Sequence, residues 1–431
     1  MTDNKHIHFI GIGGIGMSAL ARHYLHEGWQ VSGTDSNESD LTNTLREEGA
    51  IVAYQQDGAL LREQQPELVV YTEAVAQDNP ELLAARELGI ETINYFEALG
   101  RVANEYYLIA VAGTHGKTTT TAMLADILEE ASFDPTVIVG SLRTKTGSNY
   151  RPGQSKYMLV EACEYKRDFL TLTPDVLIIT NLEHEHVDYY KNLDDVQAAF
   201  RELVGQVRPS GTVICDMGNP NLQPVVAGYS SVIDYRVELD LDLQLHLPGL
   251  HNRQNAAAAT AAAAYLDIEP NITKTALQNF AGTWRRFEYK GDINGAPVYD
   301  DYAHHPTELV AAITGARELY PEKKLTVVFQ SHTYSRTREL RGDFVAALAS
   351  ADRVLMLPIY PARTEDQTGI SAEELVDALE ETGTEAKLFH THAAAALEIK
   401  ETVTSDDVVL VMGAGNVTDI TKELTFQRFV V

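Results

Sequence analysis

The chain has 431 residues, 44% of them hydrophobic, and its 62 acidic and 34 basic side chains give a formal net charge of −28. This length and apolar content predict about two to four domains with sizeable cores, whereas so acidic a balance argues against binding nucleic acid or an anionic membrane surface. The two cysteines, Cys163 and Cys215, form no CxxC pair, so neither a disulfide framework nor a zinc ribbon is indicated and a cytoplasmic location is expected.

The first block of the chain alternates strand-like and helix-like segments and is expected to end near Asn104. The apolar spacing predicts strands at 6–10, 29–34, 51–54 and 68–71 and helices at 17–27 and 79–88. No run of about 18 apolar residues occurs anywhere in the chain, so no transmembrane helix is expected.

A glycine-rich loop follows the first predicted strand and opens the first helix. Its glycines are Gly11, Gly13, Gly14 and Gly16, and Asp35 lies where an acid contacts the ribose in dinucleotide-binding folds. Strand, loop, helix and acid together predict a nucleotide diphosphate site, and the loop leaves open whether NAD, FAD or a UDP-sugar binds there. The alternative is a glycine turn that allows tight packing of the helix on the sheet.

A second loop follows the apolar run 107–112 and precedes a helix predicted over 122–130. Its backbone N–H groups would point at phosphate oxygens, Lys117 would reach the β- and γ-phosphates, and Thr118 would offer its hydroxyl to Mg²⁺. The strict Walker A pattern has glycine at the position of Val111, so this is a shorter variant, and an ordinary glycine turn is the alternative. The predicted nucleotide contacts are Gly113, Thr114, His115, Gly116, Lys117, Thr118 and Thr119.

Two phosphate-binding loops in one chain are more than a dehydrogenase requires. They suggest that ATP activates a group carried by a second nucleotide. The second block continues with predicted strands at 136–139, 157–160, 176–179 and 212–215 and an alanine-rich helix at 256–265.

Acidic residues follow two of these strands. Glu161 and Glu164 come after the strand 157–160, and the string Glu183-His-Glu-His186 comes after 176–179. Carboxylates at the carboxyl ends of parallel strands sit where ligands bind, and Mg²⁺ prefers such hard ligands. The string lacks the helical spacing of a HExxH site, so zinc is not expected, and a solvated acidic loop is the alternative.

The third block predicts strands at 296–299, 325–329, 354–359, 386–389 and 408–412 and helices at 306–318 and 372–381. All three blocks therefore predict an α/β fold with mainly parallel sheets. The stretch Asp300–Pro306 contains two acids and two imidazoles, which is dense in acid–base groups. Arg336 could bind a carboxylate or phosphate in a bidentate manner, or lie in a solvated basic turn.

Several of these motifs agree with one family. The chain resembles the Mur ligases along its whole length, through the motifs at 11–18, 31–35, 112–119, 161–164, 180–186, 248–255, 285–288, 300–308, 359–362 and 413–415. The first glycine loop and the stretch His304-His-Pro-Thr-Glu308 are typical of the alanine-adding branch and of the related murein-peptide ligases. His332 with 334–337 favours the alanine-adding branch, although the family usually has Pro and Arg at Ser331 and Thr333.

The resemblance implies three α/β domains: a Rossmann-like UDP-substrate domain at 1–104, a central P-loop-type ATPase domain at 105–283 and a Rossmann-like ligase domain at 284–431. It also implies ATP and Mg²⁺ as cofactors, UDP-N-acetylmuramate and L-alanine as substrates, an acyl-phosphate intermediate in peptidoglycan precursor synthesis, and no obligate protein partner. The implied UDP contacts are Gly11, Gly13, Gly14, Gly16, Asp35 and Ser36. The implied metal ligands are Thr118, Glu161 and His186. The implied ATP contacts outside the lysine-containing loop are Asn252, Asn255, Arg286 and Asp301. The implied catalytic residues are Lys117, His186, His304 and Arg336, with either histidine able to deprotonate the amine.

Three alternative functions are compatible with part of these motifs. A murein tripeptide ligase of cell-wall recycling would use the same chemistry on a larger amine substrate. An NAD-dependent oxidoreductase would explain the first glycine loop and leave the second without a role. A catalytically silent nucleotide sensor is disfavoured because Lys117, Thr118, Glu161 and His186 are all present.

Overall fold

The computed structural model of the protein describes residues 5–187, 189–361 and 369–425. These residues form three β-sheets, one after another along the chain, each with its own helices. The chain divides into two compact units. The first contains the described residues up to Leu239 together with Asn255–Phe280, and the second contains Asp240–Gln254 and the described residues from Ala281 onward.

The first sheet has five parallel strands in the order β3-β2-β1-β4-β5. Its strands are β1 (His6–Ile10), β2 (Gln30–Thr34), β3 (Ile51–Ala53), β4 (Leu68–Tyr71) and β5 (Glu91–Asn94). Its helices are α1 (Ile15–His26), α2 (Asp40–Glu47), α3 (Ala59–Gln64), α4 (Pro80–Glu87) and α5 (Tyr95–Ala103). The strand order reverses at β1, so a ligand crevice is expected outside the carboxyl ends of β1 and β4.

The second sheet has seven strands in the order β12-β11-β10-β6-β9-β7-β8, and all neighbours are parallel except the β7–β8 hairpin. Its strands are β6 (Tyr107–Ala112), β7 (Thr136–Arg143), β8 (Ser148–Arg151), β9 (Tyr157–Glu161), β10 (Val176–Ile179), β11 (Thr212–Cys215) and β12 (Val232–Asp234). The helices of this region are α6 (Lys117–Glu130), α7 (Leu193–Gly205), α8 (Gln223–Val226), α9 (Leu250–Tyr265) and α10 (Pro270–Gln278).

The third sheet has six strands in the order β13-β14-β18-β15-β16-β17, and only the β13–β14 pair is antiparallel. Its strands are β13 (Glu288–Ile293), β14 (Ala296–Asp301), β15 (Lys324–Phe329), β16 (Arg353–Met356), β17 (Glu385–Leu388) and β18 (Asp407–Met412). Its helices are α11 (Pro306–Leu319), α12 (Tyr334–Glu339), α13 (Arg341–Leu348), α14 (Ala372–Glu381), α15 (His392–Thr402) and α16 (Asp419–Leu424).

The predicted α/β fold with mainly parallel sheets is confirmed. Central strands such as β6, β10 and β18 are continuous apolar runs buried on both faces, as parallel sheets covered by helices require. Among the described residues, no helix is both long and apolar enough to cross a bilayer.

Two predicted helices begin at least five residues earlier in the structure than the sequence indicated. Helix α6 begins at Lys117 instead of Ala122, and α9 begins at Leu250 instead of Ala256. The threonines that open α6 are poor helix formers, yet they lie in its first turns because the loop before them starts the helix.

Candidate active site

The lysine loop (residues 113–119) leaves the carboxyl end of β6 and runs into α6. Gly113 has a φ of +130°, and a Cβ there would lie 2.1 Å from the hydroxyl oxygen of Thr180. That hydroxyl donates to the carbonyl of His115 at 2.6 Å, and the side-chain oxygen of Asn181 accepts from the backbone N–H of His115 at 2.9 Å. The residues after β10 therefore hold the loop in place, and position 113 requires glycine.

Lys117 folds back over the lysine loop. Its Nζ donates to the carbonyls of Gly113 at 2.6 Å and Thr114 at 2.9 Å, and it lies 3.0 Å from a carboxylate oxygen of Glu164. Burial opposes the lysine charge, but Glu164 and the neighbouring acids outweigh burial and raise the pKa of Lys117 above its usual value. Lys117 is therefore a fixed positive charge at the place where phosphates would bind.

Thr118 and Glu161 form the first oxygen pair beside this lysine. Thr118, the second residue of α6, donates its hydroxyl to Glu161 at 3.0 Å, and the other carboxylate oxygen accepts from the N–H of Gly140 at 2.8 Å. Oxygens at adjacent corners of a Mg²⁺ octahedron, with bonds of about 2.1 Å, lie about 3 Å apart. The pair therefore fits the donor type and the spacing that Mg²⁺ requires.

A second acidic group surrounds His186. Its Nε2 lies 3.2 Å from Glu164, and Glu164, Glu185 and His186 offer ligand atoms that all lie within 4.8 Å of one another. The Nδ1 atom of His186 is buried and hydrogen bonds with no residue in the described part of the chain. Burial acts to raise the pKa of Glu164, but Lys117 and His186 outweigh it and hold that pKa below its usual range.

The three implied metal ligands therefore take part in two separate side-chain pairs. Thr118 pairs with Glu161, whereas His186 pairs with Glu164, which also binds Lys117. Glu164 and Glu185 belong to the acidic motifs of the sequence, but neither was among the implied metal ligands Thr118, Glu161 and His186.

The first glycine loop (residues 11–16) is held by the carboxyl end of β2. The N–H groups of Gly11 and Ile12 both donate to the carbonyl of Thr34, at 2.8 and 2.9 Å. The N–H of Gly13 donates to the Asp35 carboxylate at 2.8 Å, with Ser36 donating to the other oxygen at 3.4 Å. Asp35 thus braces the loop, and its contact with a ribose remains a prediction.

The last two glycines of this loop begin α1. The N–H of Gly14 donates to the carbonyl of Gly11 at 3.2 Å, and Gly14 is the N-cap residue of α1. Gly16 lies against Tyr95, because a Cβ at Gly16 would stand 2.6 Å from the Tyr95 ring. Glycine at position 16 therefore lets the Tyr95 ring approach α1 closely. The backbone conformation does not itself require glycine there, because the φ of Gly16 is not positive.

The two asparagines implied to lie near the adenine belong to different compact units, although both are on α9. Asn255 packs against the lysine loop, since a Cβ at Gly116, whose φ is +81°, would lie 2.3 Å from its side-chain oxygen. Asn252 instead donates to the carbonyl of Pro248 at 2.7 Å within the second unit.

Asp301 and Arg286 lie together in the second unit, at the carboxyl end of β14. The Asp301 carboxylate accepts from the N–H groups of Phe287 and Ala303, both at 2.7 Å. Burial raises the pKa of Asp301 to about 6, against the opposing charge of Arg286. The Arg286 guanidinium lies 5.2 Å from the ring centre of Tyr302.

His304 occupies the turn between β14 and α11. Its Nδ1 lies 3.0 Å from the carbonyl of Tyr302 and 3.2 Å from the Glu308 carboxylate. The His332 ring centre is 6.1 Å from that of His304, and His332 stacks on Tyr360 at 5.6 Å. Because oxygen atoms face Nδ1, we assign the proton of neutral His304 to Nδ1, which leaves Nε2 as the basic nitrogen.

Arg336 lies on α12, which begins at the same edge of the third sheet as His332. The residue before this helix, Thr333, has a φ of +75°. A β-branched residue in this region is strained, and such strain is common at functional sites. Its neighbour Ser331 is buried and its hydroxyl lies 2.5 Å from that of Thr337.

The chain has three successive α/β sheets, and the second has a lysine loop and paired acids at its carboxyl edge. This architecture is that of the Mur ligase class. The chain belongs to the Mur ligase family. Residues 6–107 match the family model described as Mur ligase family, catalytic domain. Residues 111–237 match the Mur ligase middle domain, and residues 285–415 match the Mur ligase, glutamate ligase domain.

Several curated relatives are named UDP-N-acetylmuramate–L-alanine ligase. The chain is 40% identical to that of Agathobacter rectalis, with 97% of each chain covered, and 37% identical to that of Caldanaerobacter subterraneus subsp. tengcongensis, with 96% of each covered. The crystal structure of UDP-N-acetylmuramate–alanine ligase from Thermotoga maritima matches with a TM-score of 0.82 and 29% identity, covering 97% of this chain and 98% of that one. A murein peptide ligase from Psychrobacter arcticus matches with a TM-score of 0.72 and 25% identity, over the same shares of the two chains.

Proposed function

We propose that this protein is an ATP-dependent ligase that joins L-alanine to the lactyl carboxylate of UDP-N-acetylmuramate, in peptidoglycan precursor synthesis. The observation that carries the proposal is the position of Lys117, which lies over a phosphate-type loop beside the Thr118–Glu161 and His186–Glu164 pairs. The near full-length likeness to alanine ligases supports the choice of amino acid. We assign the UDP substrate to residues 1–104, ATP to 105–283 and the amino acid to 284–431.

A carboxylate must be activated before an amine can displace one of its oxygens. A lactyl carboxylate oxygen attacks the γ-phosphorus of ATP, and the bond between that phosphorus and the β–γ bridging oxygen breaks. ADP leaves, and the substrate becomes an acyl phosphate. Lys117 holds the phosphate oxygens in line and balances their charge, which is how most phosphoryl-transfer catalysis arises. Thr118, Glu161 and His186 would hold Mg²⁺, which neutralises phosphate charge when bound.

The amine of L-alanine then attacks the acyl carbon, the carbon–oxygen bond to phosphate breaks, and inorganic phosphate leaves as the amide forms. The ammonium group of alanine must lose a proton to become the amine that attacks, and His304 is our candidate for the base because its Nε2 is the basic nitrogen. Arg336 would bind the alanine carboxylate through its planar pair of donors. His186 is assigned to the metal group because it pairs with Glu164.

The direct test is phosphate release from Mg-ATP in the presence of UDP-N-acetylmuramate, with and without L-alanine. Release that requires both substrates is expected. Release with the tripeptide L-alanyl-γ-D-glutamyl-meso-diaminopimelate, and none with L-alanine, would move the protein to the recycling reaction. No release with either amine would contradict the proposed function.

A further inference from the structure

Tyr95 lies on the first turn of α1, although its own place in the chain is the start of α5. A Cβ at Gly16 would stand 2.6 Å from the Cζ atom and 2.7 Å from the hydroxyl oxygen of Tyr95. Gly16 is the second residue of α1, so the phenol ring and its hydroxyl lie against the first turn of that helix. This arrangement brings one side chain to the start of the first glycine loop's helix.

The hydroxyl of Tyr95 forms no hydrogen bond with any residue in the described ranges, and the side chain is only partly buried. A phenol hydroxyl without a protein partner can still donate a hydrogen bond to a bound ligand. Burial, together with the Glu161 carboxylate and the Cys163 thiol, raises the pKa of Tyr95 above its usual value. The hydroxyl therefore keeps its proton at neutral pH and can act as a hydrogen-bond donor.

The first turn of α1 also has donors to offer. No side chain caps it: Gly14 is the N-cap residue and has no side-chain oxygen. Helix N-termini of this kind bind phosphate oxygens. The Glu161 carboxylate, whose charge acts on Tyr95, would repel such an anion, and the neutral Tyr95 hydroxyl offers a donor that carries no charge of its own.

We propose that the Tyr95 hydroxyl donates a hydrogen bond to a diphosphate oxygen of the UDP substrate bound at the start of α1. The inference rests on the proposed function, because it takes the first glycine loop as the UDP site. It gives Gly16 a specific role, which is to let the Tyr95 ring approach α1 closely enough for this contact.

The experiment is Tyr95→Phe, which removes only the oxygen, studied by calorimetric binding of UDP and of UDP-N-acetylmuramate. A hydrogen bond to a charged group contributes about 1.5–3 kcal/mol, so both ligands should bind roughly tenfold or more weakly. In steady-state assays the KM for UDP-N-acetylmuramate should rise, while the KM for ATP stays unchanged and kcat stays within about twofold.

The matched control is Tyr24→Phe. Tyr24 is also on α1, toward its other end, its ring is buried, and its hydroxyl has no hydrogen-bond partner among the described residues. This variant should bind both UDP ligands as the wild type does.

Other results of the binding experiments would overturn the inference. Unchanged affinity of Tyr95→Phe for UDP would overturn the inference, as would weaker binding of UDP-N-acetylmuramate alone, which would place the contact on the sugar side. A variant with a lowered melting temperature and equal losses for ATP and UDP would indicate a structural role and also overturn it. If the wild type binds neither UDP ligand, the proposed function fails as well.

Discussion

Among single residues, Lys117 matters most for the proposed phosphoryl transfer, because its surroundings hold its positive charge in place. Lys117 contacts two loop carbonyls and Glu164, so its ammonium group cannot move far from the loop. A phosphate bound there would take over some of these contacts, because the loop carbonyls and the phosphate compete for the same three donor hydrogens.

Replacing Lys117 with alanine should reduce ligation by about a hundredfold or more, since one preorganised donor to a transferring group contributes that much. The affinity for UDP-N-acetylmuramate should stay within about twofold, because that ligand is assigned to the first glycine loop. Phosphate release and calorimetry measure the two quantities. Lys156→Ala is the control, since Lys156 lies over the rings of Tyr107 and Tyr157 at the opposite end of the sheet. Near-normal ligation by the Lys117 variant would refute the assignment of Lys117 to the ATP phosphates.

A second residue-scale prediction concerns Asp168. One of its carboxylate oxygens is buried and hydrogen bonds with no described residue, and burial, with Glu73 nearby, raises the pKa of Asp168 to about 7. An unfolded chain releases this proton near pH 4, so the stability from this group is complete below about pH 4 and is lost as the pH rises through 7.

The side chain of the Asp168→Asn variant cannot ionise. The melting temperature of the variant minus that of the wild type should therefore be about 3 °C larger at pH 8 than at pH 5. The exposed Asp194→Asn on α7 should show the same offset at both pH values. Parallel pH dependences of the Asp168 variant and the wild type would show that the carboxyl is already ionised at pH 5.

At the scale of elements, a buried polar contact joins α1 to the β7–β8 hairpin. The side chain of Asn149 on β8 donates to the carbonyl of Ile15 at 2.5 Å and to the hydroxyl of Ser18 at 2.9 Å. Its oxygen accepts from Arg22 at 3.0 Å. The contact fixes the helix that starts in the first glycine loop against the sheet that carries the lysine loop, and both belong to the first compact unit.

Asn149→Ala should lower the melting temperature by several degrees, because it leaves buried polar groups without this partner, at a cost of about 1–3 kcal/mol each. It should also weaken UDP binding, since α1 loses an anchor. Gln154→Ala is the control, as Gln154 contacts His26 of α1 at an exposed position. Wild-type stability and UDP affinity in the Asn149 variant would show that the contact does not hold α1.

The sequence predicted elements and loops well where the signal is local. Strands β1, β4, β6, β10 and β11 have the predicted bounds, because apolar runs flanked by turn residues mark them. The β8 strand was missed since Ser148–Arg151 is mostly polar and is held by its pairing with β7. Contacts between distant residues were also missed: nothing local shows that Glu164 pairs with His186, or that Gly16 makes room for Tyr95.

At the scale of the whole molecule, two phosphate-type loops on two adjacent sheets argue for chemistry between two nucleotides. One loop braces itself through Asp35, and the other holds Lys117 beside two acidic pairs. The third sheet carries His304, Arg336 and the strained Thr333. The three family models match in the same order along the chain, at 6–107, 111–237 and 285–415.

In the proposed reaction the γ-phosphate of ATP activates the lactyl carboxylate. An isotope experiment tests this step: UDP-N-acetylmuramate carries ¹⁸O in both oxygens of that carboxylate, and the label is followed during ligation to L-alanine. We expect ADP as the nucleotide product, one labelled oxygen in the released inorganic phosphate, and the other in the new amide. Label in AMP with release of pyrophosphate, or unlabelled phosphate during amide formation, would contradict it.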